Sequence, residues 1–159
     1  MMLPLPPGDF RAYLFDCDGT IADSMPLHHL AWQQALDPWA ARFPEDLFYA
    51  WGGRPAADII IDLNERQGLN MPVEVVDAQR EAIFQKLLPQ ISAVPGVLEH
   101  IEDAHGRVPF AVVSGGTRAS VTASLTALGL LEKFDVMVCA GDYTRAKPEI
   151  GRASCRERV

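Results

Sequence analysis

Three short apolar runs constrain this chain more than any other feature. They are "AYLF" at residues 12–15, "PFAVV" at 109–113 and "DVMVCA" at 135–140. Each stops at acidic or small residues, as a buried parallel strand does where it emerges at the edge of its sheet. Between the last two, "TRASVTASLTALGL" spaces Val121, Leu125 and Leu128 on one helical face and closes at Gly129. Strand, helix, strand predicts a parallel α/β unit, in which ligands bind at the carboxyl ends of the strands. Asp16 and Ser114 both fall at such ends.

The middle of the chain breaks this plan. "PLHHLAWQQAL", "PAADIIIDLNERQGL" and "EVVDAQREAIFQKLLPQI" all read as helices, separated at "WGGRP" and "NMP". No strand is evident between Pro26 and about Ala93. "AVPG" at 93–96 marks the return, followed by a helix running to about His105. The predicted organisation is a Rossmann-like core from residues 1–24 and 94–148, interrupted by a helical cap at 25–93. A chain of 159 residues with 48% hydrophobic content can bury such a core.

Composition removes several classes of function. A formal net charge of −7 argues against nucleic-acid and anionic-membrane partners, which demand basic surface. It leaves room for a small phosphorylated ligand held by a few local donors. No run approaches the ~18 apolar residues of a membrane span. "MMLPLPPGDF" lacks the basic start and apolar stretch of a secretory signal. Cys17, Cys139 and Cys155 show neither disulfide-type nor metal-type spacing. A reducing, cytoplasmic location is the expectation. Oligomeric state is not readable from the sequence.

The chemistry concentrates in "FDCDGTIADS". Asp16 and Asp18 lie two residues apart beyond a strand end, and Gly19 permits the turn that lets them converge. Such a pair can bind a divalent cation through hard oxygens. It can also divide labour, one carboxylate attacking and the other moving protons. The plain alternative is a solvated Asp/Gly turn.

Three motifs together go further. "FDCDGTIADS", "VVSGGT" and "RAKPE" resemble, in order, the first three motifs of the haloacid dehalogenase superfamily of phosphohydrolases, with the helical cap between the first two. "DSMPLHHLAW" is most similar to its sugar-phosphate branch, which includes beta-phosphoglucomutase and fructose-1-phosphate-type phosphatases. The resemblance implies that Asp16 is the nucleophile, forming an aspartyl-phosphate, and that Asp18 is the general acid and base. It implies Mg²⁺ held by the Asp16 carboxylate and the Asp18 backbone carbonyl. Ser114 and the backbone at Gly115 would hold phosphoryl oxygens, and Lys147 would offset the negative charge. On the cap, His28 aligns with a histidine of several sugar-phosphate members, and Arg54 could clamp an anionic substrate group. The bland readings are a capped turn at Ser114, a surface Lys147, a surface His28 and a solvated Arg54. Cys17 is expected to pack between the acids rather than react, and His29 to be incidental.

A mutase moving phosphate within one sugar would use the same two acids and remains open. A dehalogenase is disfavoured by Asp18. The family's fourth, acidic motif has no counterpart after Pro148, leaving Asp142 as an acid that could stand in. The segment 149–159, "EIGRASCRERV", reads in frame as a sequencing-library adapter. The expectation is a non-native tail on a shortened, inactive chain.

Overall fold

The apolar runs form a parallel sheet, but the first is not the buried strand expected of it: Leu14 is 57% exposed, and Tyr13 and Phe15 are half-buried. The computed structural model describes residues 8–144. Among these, β1 (Tyr13–Phe15), β2 (Phe110–Thr117) and β3 (Val136–Ala140) make one sheet in the order β1-β2-β3. Tyr13 pairs with Phe110 and Phe15 with Val112, while Val112 pairs with Met137. The chain thus has a Rossmann-like core, incomplete at three described strands, with an inserted all-helical cap.

The helices follow the sequence pattern closely. They are α1 (Met25–Leu36), α2 (Glu45–Ala50), α3 (Ala56–Gln67), α4 (Val73–Leu87), α5 (Val97–Ala104) and α6 (Arg118–Ala127). Gly68 and Gly129 take left-handed φ of 64° and 69° just past the ends of α3 and α6. Only α2 escapes a reading by pattern. Its six residues complete fewer than two turns, too few for a period to show. What holds it is Phe48, buried against Phe43.

The chain divides into two compact units. The first, residues 1–24 and 90–159, contains the sheet, α5 and α6. Its core gathers Ile21, Ile101, Phe110, Val112, Leu125 and Phe134. Phe15 meets Phe110 and Phe134 edge to face, at ring separations of 5.4 and 5.8 Å. The second unit, Met25–Pro89, packs α1 on α4 and α3 on α4 around Trp32, Leu36, Ile60, Leu63 and Val76. It stops at Pro89, whereas the sequence suggested 93. The difference has a backbone cause: Ala93 bridges to Ala22, Asp23 N–H donates to Ser92 O, and Val94 N–H donates to Ile21 O. Those bonds tie residues 92–94 to the sheet unit.

The predicted end of β2 also moves. The sequence suggested a strand stopping at Val113, yet the ladder resumes at Thr117. Val113 pairs with Val138 and Thr117 with Ala140, so four steps on β2 match two on β3. Two extra residues are therefore pushed out as a bulge at Ser114–Gly116. No described helix is long and apolar enough to cross a membrane.

Candidate active site

Asp16 follows Phe15 directly, so it stands half-buried at the carboxyl end of β1. The next residues fold back sharply. The Cys17 carbonyl accepts N–H bonds from Thr20, Ile21 and Ala22 at 3.3, 2.9 and 3.0 Å, and Gly19 N–H donates to Ala22 O at 2.8 Å. This hook requires φ of +75° at Gly19, a left-handed conformation costly for other residues. The turn anticipated from the glycine is present.

The hook sets the Asp18 carboxylate against the β2 bulge. Ser24, fully buried, donates its hydroxyl proton to Asp18 Oδ1 at 2.6 Å. The other oxygen lies on the glycine side. A methyl group added at Gly116 would come within 3.4 Å of Asp18 Oδ2 and 3.3 Å of Ser114 Oγ. Ser114, only 1% exposed, accepts the Gly116 N–H at 3.0 Å, leaving its own hydroxyl proton to be donated. Thr117 then caps α6 by accepting the Ser120 N–H at 3.1 Å. The capped turn and the bulge are therefore the same segment. Gly115 is exposed, with Tyr143 Oη 4.0 Å from where its Cβ would be.

Ser24 is a member of the site that sequence reasoning missed. Its signal was its place in "IADS", six residues past Asp18, where only the hook brings it back. Lys147 lies outside the described residues. Asp142 is already engaged: its Oδ2 accepts from Arg118 at 2.6 Å and from Cys139 N–H at 2.8 Å.

Cys17 points into the core between the two acids. Burial, then the charges of Asp18 and Asp16, push its thiol far up, which keeps it protonated and unreactive. Burial raises Cys139 as well, against the lowering influence of Arg118.

Two further candidates belong to the cap unit. His28 lies flat on Phe84, ring centroids 3.8 Å apart and planes 10° from parallel. It is half-buried between α1 and α4 rather than a surface histidine. Arg54 pairs with Asp62 at 2.7 Å and stacks on Trp51, 4.5 Å from the ring centroid. Arg66 shares that ring at 4.7 Å. His29 sets Nε2 3.2 Å from Phe43 O and stacks against Phe48.

The oxygen donors of Asp16 and Asp18 suit Mg²⁺, which takes one or two carboxylates and fills the rest of its shell with water and phosphate. Among the described residues no group of three His, Cys, Asp or Glu could hold a metal ion. A zinc-type site with tetrahedral protein ligands is thus not built by them.

A sheet with an acid pair at its strand ends and a helical insertion after the first strand defines a class of hydrolase. Residues 13–152 match the family of haloacid dehalogenase-like hydrolases, and the chain belongs to that family. It is 32% identical to a fructose-1-phosphate phosphatase of Escherichia coli K12, over 87% of this chain and 74% of that protein. It is 28% identical to a validoxylamine A 7'-phosphate phosphatase of Streptomyces hygroscopicus subsp. limoneus, over 88% of this chain and 66% of that one. The fold matches the crystal structure of CbbY from Rhodobacter sphaeroides in complex with phosphate, with a TM-score of 0.80 and 22% identity, over 93% and 72% of the two chains. These relatives place the chain in the sugar-phosphatase branch, among the phosphoric monoester hydrolases.

Proposed function

We propose that this chain carries the active centre of a Mg²⁺-dependent phosphatase that hydrolyses a small phosphorylated sugar through an aspartyl-phosphate. The observation that carries the reading is the meeting of Asp18 Oδ2 with Ser114 and Gly116 one turn beyond Asp16. An anionic nucleophile must approach an anionic phosphoryl group, and this arrangement pairs the nucleophile's strand end with neutral donors. The substrate class follows the relatives, one named for fructose 1-phosphate and the other for validoxylamine A 7'-phosphate.

In this reading an Asp16 oxygen attacks phosphorus, and the bond to the sugar oxygen breaks. Asp18 gives that oxygen its proton. Ser24 donates to Oδ1, so the transferable proton sits on Oδ2, the oxygen facing the bulge. Water then attacks the phospho-aspartate, Asp18 takes its proton, and orthophosphate leaves with Asp16 restored. The Ser114 hydroxyl and the backbone near Gly115 bind phosphoryl oxygens throughout. The Asp16 carboxylate and the Asp18 carbonyl would hold Mg²⁺, which would supply charge neutralisation between nucleophile and phosphate. Lys147 adds a second positive charge, and His28 and Arg54 take part in choosing the substrate from the cap. Two buried free thiols, Cys17 and Cys139, fit a reducing compartment such as the cytoplasm.

The test is phosphate release from a panel of sugar phosphates by the protein expressed from its full gene, as wild type, Asp16→Asn and Asp18→Asn. Asp16→Asn should abolish turnover. Asp18→Asn should cripple it, yet still trap phospho-enzyme from a substrate with a good leaving group. Substantial turnover by Asp16→Asn would sink the reading.

A further inference from the structure

The β2 bulge is held from behind by a group of contacts that no part of the reaction itself requires. Arg118, the first residue of α6, donates to Met137 O at 2.9 Å and to Asp142 Oδ2 at 2.6 Å. The same Asp142 oxygen accepts the Cys139 N–H at 2.8 Å, and Asp142 N–H donates to Cys139 O at 3.0 Å. Next to it, the Tyr143 hydroxyl reaches Ser114 O at 3.4 Å, a long hydrogen bond. The segment leaving β3 is thereby fastened to both ends of the bulge, at Ser114 and at Arg118.

We infer that Arg118 and Asp142 are positioning residues that hold the Ser114–Gly116 bulge against Asp18. Two extra residues on β2 must be accommodated before the ladder resumes at Thr117 and Ala140. A bulge of that size has slack unless its far end is anchored, and Arg118 follows Thr117 immediately. The bulge lies close against the carboxylate: a methyl group built on Gly116 would stand 3.3 Å from Ser114 Oγ and 3.4 Å from Asp18 Oδ2. The latch does not act through raw stability. Arg118 and Asp142 are 51% and 39% exposed, and pairs of that kind contribute little to folding. Its value is geometric: one guanidinium fixes a strand carbonyl and a carboxylate that itself closes the end of β3.

The effect on turnover rests on the phosphatase reading; the placement of the bulge does not. The experiment compares wild type, Arg118→Ala, Arg118→Lys, Asp142→Asn and the Arg118→Ala/Asp142→Asn pair. Amide exchange at Gly116 reads the bulge directly. Kinetics with a sugar phosphate and Mg²⁺ read the chemistry, and thermal melts read the fold. We expect Gly116 exchange to quicken in Arg118→Ala and Asp142→Asn, and kcat to fall roughly 10- to 100-fold with KM little changed, the scale set by small misplacements near reacting atoms. Melting points should move only slightly, Arg118→Lys should recover part of both losses, and the double variant should be no worse than either single one. Unchanged Gly116 exchange overturns the latch whatever the kinetics. So do losses that simply multiply in the double variant, or a kcat that falls only as far as the folded fraction. Quickened exchange in the variants, with no phosphate released by the wild-type protein expressed from its full gene, would uphold the latch and overturn the phosphatase reading instead.

Discussion

Ser24 donates its hydroxyl proton to Asp18 Oδ1 across 2.6 Å, and Ser24 is completely buried. One oxygen of the carboxylate is thereby held by a buried hydroxyl, and the other lies on the Gly116 side. Ser24→Ala removes a hydrogen bond to a charged group, worth about 1.5–3 kcal/mol. If that bond holds Asp18 in its working orientation, kcat should fall roughly 10- to 100-fold. Ser24→Thr, which keeps the hydroxyl, should recover part of the rate. Steady-state kinetics on the three proteins decide it; an Ala variant at wild-type kcat would mean that Asp18 is oriented without Ser24.

At Gly116 an added side chain would be crowded. An alanine methyl there would stand 3.3 Å from Ser114 Oγ, and 3.4 Å from both Asp18 Oδ2 and Val121 Cγ2. Gly116→Ala should lower kcat/KM by about tenfold or more, on the scale of small active-site displacements. At Gly115 the added methyl meets only Tyr143 Oη, at 4.0 Å. Gly115→Ala should therefore cost less. Equal losses at the two positions would show that crowding of Asp18 is not the cause.

Metal dependence should follow the donor set. Activity should vanish with excess chelator, return with Mg²⁺ and need no zinc. Because the described residues offer only Asp16 and Asp18, Mg²⁺ should bind more tightly when orthophosphate supplies further oxygens. Titration calorimetry with and without orthophosphate measures this. Undiminished turnover in chelator, or Mg²⁺ affinity indifferent to phosphate, would count against the site.

Stability should fall on the alkaline side. Burial raises both Cys17 and Cys139 above the ordinary thiol value of 9.0. Above that value the denatured chain has released protons that the native chain still holds. Fewer protons on the denatured state means that stability drops as pH rises, by at most about 1.4 kcal/mol per pH unit for each such thiol. Below that value the two states hold the same thiol protons and this dependence disappears. Melts between about pH 8 and about pH 10 should show the decline, and Cys17→Ala should make it shallower. An identical slope in that variant would remove Cys17 as its source.

The element plan lies within reach of the sequence because it depends on local spacing. Apolar runs at 12–15, 109–113 and 135–140 read as strands by length and composition, although Leu14 on the first is 57% exposed, and Gly19 and Gly129 mark turns by a property of their own backbone. Asp16 and Asp18 are two residues apart, so the sequence alone suffices to pair them as candidates. Ser24 is different. Six residues separate it from Asp18, and only the hook closed on the Cys17 carbonyl brings its hydroxyl back to the carboxylate. The bulge is different again, since its two extra residues are defined by register against β3, a strand that no spacing within "VVSGGT" describes. Arg118 and Asp142 are 24 residues apart and look like ordinary surface charges until the sheet places them together. Local periodicity records which residues a segment must bury. Which polar groups then meet depends on how separate segments are stacked, and only the folded chain decides that.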